Sequence, residues 1–233
     1  MASGSVVQEQ AVNEKLTDET MSLILDSLQI NLGGSELFSP VSLTVEAGQI
    51  LTVMGPSGCG KSTLLASICG NLDPGFSLSG TIQLGDRILN NIPMEQRRIG
   101  ILFQDDLLFP HLDVFGNMAF GLPSILTMEQ KRERINSALA MAGLSGFERR
   151  DIGTLSGGQK ARVSLLRSLL AEPEAILLDE PFSKLDKQLR QNIREFVFQQ
   201  ITKLAIPALL VTHDADDAPE GNILELKNGN YHA

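Results

Sequence analysis

An α/β fold with a parallel sheet at its centre is the class this sequence predicts, and three observations predict it. Two short runs, Ala175–Leu178 and Ala208–Thr212, are continuously apolar, as expected of strands covered on both faces of a parallel sheet. Such runs alternate along the chain with patterns of helical period, which implies layered α/β packing. A glycine-rich turn over residues 55–62 joins a strand-like run to an amphipathic helix.

Taken in order, residues 1–20 carry no consistent apolar period and are expected to be a polar extension, followed by a single domain over 21–230. Gln49–Met54 reads as a strand, and the helix after the glycine turn places Leu64, Leu65 and Ile68 on one face. Gly80–Leu89 alternates with period two around Gly85-Asp86, a hairpin pattern that adds an antiparallel β region. Residues of about 105–165 are mostly helical in pattern and are expected to form an inserted helical subdomain. Within it, Thr127 and Gln130 have capping-box spacing, and the next helix carries Ile135, Leu139 and Ala142 before closing at Gly143. Leu189, Ile193, Phe196, Val197 and Leu204 mark a further amphipathic helix, stopped by Pro207.

Composition narrows the function. The chain has 233 residues, 42% apolar and 20% charged, enough to bury a core without disulfides. With 19 Lys+Arg against 28 Asp+Glu, its net charge of −9 disfavours a nucleic-acid partner. Two cysteines, Cys59 and Cys69, are too few for a disulfide scaffold. No apolar run reaches the ~18 residues needed to span a bilayer, and the first twenty residues lack a secretory pattern. A soluble, cytosolic-type protein is expected.

Gly55-Pro56-Ser57-Gly58-Cys59-Gly60-Lys61-Ser62, followed by Thr63, fits the spacing G-x-x-x-x-G-K-[ST]. Its glycines let backbone N–H groups turn inward around phosphate oxygens. Lys61 brings a cation to the β/γ-phosphates, Ser62 an oxygen to Mg²⁺, and the helix N-terminus adds its dipole. Cys59, inside this loop and near Lys61, is expected to be a reactive thiol that nucleotide protects. Asp179-Glu180 closes the buried 175–178 strand, where an Asp can reach the metal and a second carboxylate can accept a proton from water.

Leu155-Ser156-Gly157-Gly158-Gln159 then specifies the resemblance. Ser156 is an N-cap residue and Gly157-Gly158 expose N–H groups at a second anion-binding helix terminus. With the phosphate loop, this pentapeptide resembles the signature of ATP-binding-cassette (ABC) ATPases, and the resemblance runs over about residues 22–226. It implies a P-loop NTPase core of the RecA type that binds MgATP. It further implies a head-to-tail homodimer in which Ser156, Gly157, Gly158 and Gln159 complete the partner's site. By the same resemblance Gln104 is the Q-loop residue at Mg²⁺ and water, Glu180 the base, and His213 the switch histidine at the γ-phosphate. Asp179, Ser62 and Gln104 are then the metal ligands, and residues 183–186 the D-loop at the dimer interface.

The sequence departs from the family pattern in three places. Leu32 stands where an aromatic usually stacks on adenine, so either the base is left unstacked or another residue such as Phe38 covers it. Lys184 replaces a small or polar D-loop residue. The chain also ends soon after His213, without length for the regulatory domain many import cassettes carry. Gln96–Gln104 and Leu108–Leu112 are similar to bacterial small-solute importers, and the run over 157–186 to their thiamine-type branch. This similarity implies an ATPase on the cytoplasmic face of the inner membrane, working with integral permease subunits and a solute-binding protein. Leu107, Leu108 and Phe109 either receive a helix from a membrane subunit or fill the helical core. Two alternatives stay open, an exporter or extraction cassette, and a non-transport ABC ATPase of DNA repair or translation.

Overall fold

A computed structural model describes residues 21–103, 106–219 and 221–226. The expected extension over residues 1–20, and Gln104, lie outside the described residues. The strands are β1 (Leu23–Leu32), β2 (Ser35–Glu36), β3 (Val41–Val45), β4 (Ile50–Met54), β5 (Phe76–Leu84), β6 (Arg87–Ile88), β7 (Ile99–Leu102), β8 (Ala175–Asp179), β9 (Ala208–Val211) and β10 (Ile223–Glu225). The helices are α1 (Lys61–Cys69), α2 (Val114–Gly121), α3 (Met128–Met141), α4 (Gly157–Leu170) and α5 (Lys187–Leu204).

Two sheets form. The parallel one runs β10-β4-β9-β8-β7, and the antiparallel one β2-β1-β5-β6 with β3 also paired to β1. In β8 every residue is buried, and its side chains divide between two cores as a period of two requires. Ile176 and Leu178 join Val114, Met118, Ile135, Leu139 and Val163 of α2–α4. Ala175 and Leu177 join α1 and the antiparallel sheet on the other face. The β5–β6 hairpin turns through Gly85-Asp86, with Leu84 opposite Arg87.

Local chemistry sets the helix ends. Thr127 and Gln130 bond reciprocally as a capping box at the start of α3, and Gly143 follows its end at φ +66°. Helix α5 closes earlier than Pro207: Ala205 adopts φ +50°, ψ +46° and its N–H reaches back to Ile201 and Thr202. Arg97 fixes the C-terminus of α1. It is 5% exposed, and its guanidinium donates to the carbonyls of Ser67 (3.0 Å), Ile68 (2.7 Å) and Ile92 (2.7 Å). A cation on those end carbonyls complements the helix dipole whose positive end is the glycine loop.

Candidate nucleotide site

In the parallel sheet β4, β9 and β8 are consecutive neighbours, so their carboxyl ends lie side by side. The loop after β4 carries Gly55–Lys61, β8 ends in Asp179-Glu180, and His213 lies two residues beyond β9. Three segments distant in sequence therefore meet at one edge, where ligands bind in open α/β sheets. A groove of about 510 Å³ opens there, lined by Leu37, Ser57, Gly58, Gly60, Lys61, Ser62, Thr63, Asp179, Glu180 and His213.

The glycine loop needs its glycines for two reasons. Gly58 and Gly60 hold φ +79° and +96°, the left-handed region that side chains avoid. Gly55 passes so close to Leu226 that a Cβ would sit 2.6 Å from its carbonyl oxygen. Lys61 Nζ donates to the carbonyls of Gly55 (2.8 Å) and Pro56 (2.9 Å), which holds the ammonium across the loop mouth. Ser62 and Thr63 begin α1 on the groove side, where the first-turn N–H groups are free to meet an anion.

Cys59 departs from expectation. Its side chain is 1% exposed and packs in the apolar core, so it is not presented to reagents and does not line the groove. Gly55 must be small partly because Cys59 Sγ lies 2.8 Å from where a Cβ would stand.

Asp179 is 8% exposed. Burial pushes its carboxyl above the usual range, the Ser62 hydroxyl bonded to it pulls the other way, and Glu180 raises it again. Glu180 is held at φ +49°, a costly conformation for a residue with a side chain. Its Oε1 lies 3.0 Å from His213 Nδ1, and the His213 side chain is 64% exposed toward the groove mouth.

Ser156–Gln159 lie elsewhere. Ser156 caps α4, its Oγ accepting from Gln159 N (3.3 Å) while Gln159 Oε1 accepts from Ser156 N (2.9 Å). Ser156 and Gly157 are exposed, and none of the four lines the groove. Gly158 abuts the turn before α5: a Cβ there would lie 3.2 Å from the Lys184 carbonyl. Lys184 Nζ itself is 3.6 Å from Asp106, within the same chain. Leu32 sits at the end of β1 opposite Phe76, and Phe38 is fully buried in the core. Leu37 is the residue that reaches the groove from this region, and sequence reading did not single it out.

A family model described as ABC transporter matches residues 38–183, which carry both the glycine loop and the α4 cap. The chain belongs to the ABC transporter family. It is an ATP-binding, transport-coupled ATPase subunit, and the P-loop NTPase fold predicted for it is the one observed. Over 205 residues it is 47% identical to the uncharacterized ABC transporter ATP-binding protein YnjD of Escherichia coli, covering 88% of this chain and 94% of that one. It is 37% identical to the Fe(3+) ions import ATP-binding protein FbpC 1 of Rhizobium meliloti and 39% to the spermidine/putrescine import ATP-binding protein PotA of Marinobacter nauticus. Those matches cover 90% and 89% of this chain but 59% and 56% of the two importers. Among solved structures, the dimeric ABC cassette MJ0796 bound to ADP and Pi superposes with TM-score 0.76 at 29% identity, over 88% of this chain and 94% of that one.

Proposed function

We propose that this ABC ATPase powers a small-solute importer from the cytoplasmic face of the inner membrane, working as a head-to-tail homodimer on separate integral permease subunits. One observation carries the reading. The capped N-terminus of α4, with Ser156 and Gly157 exposed, lies outside the groove that the start of α1 lines, which supports reading it as a second phosphate-binding helix end. A second copy placing its Ser156, Gly157, Gly158 and Gln159 over the γ-phosphate uses both ends. The dimeric form of the cassette MJ0796 supports this, and the iron and polyamine import proteins among the relatives support import. A solute-binding protein completes such a system.

The groove suits hydrolysis by in-line attack of water. Glu180 accepts the proton, and His213, whose Nδ1 lies 3.0 Å from its carboxylate, orients it beside the γ-phosphoryl. Lys61 and the backbone N–H groups of Gly58 and residues 60–63 hold the phosphates. The donor set also fits Mg²⁺: a buried carboxylate beside a hydroxyl, both hard oxygens, leaving further positions to phosphate and water. Asp179, Ser62 and Gln104 would hold the ion, which neutralises phosphate charge. Leu37 gives adenine an apolar contact.

The contact with the permease is read from the region after Gln104. Leu108 packs into the helical core, whereas Leu107 and Phe120 are 59% and 70% exposed. Phe109 packs edge-on against Phe120 at 4.7 Å, forming an apolar surface a membrane subunit's helix can cover. Among the described residues no helix is long and apolar enough to cross a membrane. Purification of the tagged chain from detergent-solubilised membranes tests this. Integral membrane proteins should copurify and raise its ATPase rate; recovery without any would contradict the transport role.

A further inference from the structure

The residues on both sides of His213 are tied to a single arginine on another element. Arg190 lies in the first turn of α5, four residues after the helix cap Asp186. Its Nε donates to Asp217 Oδ1 at 2.7 Å and its Nη2 to Oδ2, a two-pronged contact, while Nη1 lies 2.9 Å from Asp214 Oδ2. Asp217 is 2% exposed, and its Oδ2 also accepts from Thr212 Oγ1 at 3.0 Å. Thr212 Oγ1 in turn accepts from Asp214 N at 3.1 Å, and Asp214 Oδ1 from Asp216 N at 3.0 Å. Arg194, one turn along α5, donates to the Asp216 carbonyl. Thr212 precedes His213 and Asp214 follows it, so both flanks of the histidine are fixed through Arg190.

This clasp does more than close a loop. Among the described residues, Glu180 is the hydrogen-bond partner of the His213 ring, which is otherwise open to solvent. Where the ring points therefore depends on the backbone that carries it. That backbone is anchored to the helix that follows residues 183–186. We propose that Arg190 is a positioning residue for hydrolysis. Through Asp217 and Asp214 it sets the 212–217 turn so that His213 meets Glu180, and it links that alignment to the segment at the dimer interface. The inference rests on the reading of His213 as a group acting on the γ-phosphoryl.

A merely structural arginine and a positioning one differ in a double-mutant cycle. Arg190→Lys keeps the positive charge facing buried Asp217 but loses the fork; Asp214→Asn removes the partly exposed arm and carries the same test should Arg190→Lys not fold. Each is expected to lower kcat by about 10-fold with the ATP Kd changed less than about 2-fold. His213→Ala is expected to lower kcat by about 100-fold, and adding either change to it should cost less than about 2-fold more. Multiplicative losses in the double variants would overturn the proposal, as would parent kcat in a folded Arg190→Lys. Parent kcat in His213→Ala would overturn the reading of His213 itself and the proposal with it.

Discussion

Glu180→Gln is expected to lower ATP turnover by ~10² or more while leaving ATP binding intact, because an amide keeps the carboxylate's shape but cannot take a proton from water. The position favours so clean a separation. Glu180 is set at φ +49° beyond a strand whose residues are all buried, so the substitution does not disturb packing. Gln retains an oxygen that can meet His213 Nδ1, now 3.0 Å from the carboxylate. Single-turnover hydrolysis and ATP titration on the same preparation check it. A rate near the parent's would remove Glu180 from the role of base.

The second large effect falls on binding. Lys61→Ala is expected to weaken MgATP affinity by about 10- to 150-fold, the ~1.5–3 kcal/mol that hydrogen bonds to a charged group carry. The Lys61 ammonium spans the Gly55 and Pro56 carbonyls, at the place where phosphates are expected. An ATP β/γ-phosphate can replace that partnership with a charge-assisted one. Isothermal titration with a non-hydrolysable ATP analogue measures the loss. Unchanged affinity would mean that the phosphates lie elsewhere.

The fold and most of the candidate site were legible because their signals are local. The glycine spacing, the continuous apolar runs before Asp179 and His213, the capping box at Thr127 and the N-cap at Ser156 each act over a few residues. What the sequence hid depends on contacts between distant segments. Cys59 looked accessible inside a loop, but Leu226 and the core close over that side. Counting along the chain pointed to Leu32. However, the chain turns back at residues 33–34 into β2, and Leu37, just beyond it, lines the groove. Arg190 and Asp217 are 27 residues apart and joined only by the packing of α5 against the turn after β9.

In the proposed homodimer the site in one chain is incomplete and a second copy finishes it. Its most direct test is the mass in solution of Glu180→Gln, measured with MgATP and with MgADP. A dimer is expected with MgATP, a monomer with MgADP, and a monomer with either nucleotide once Ser156→Arg is added, since that side chain would occupy the partner's γ-phosphate position. The same monomeric mass in Glu180→Gln with both nucleotides, at concentrations where ATP is bound, would contradict it.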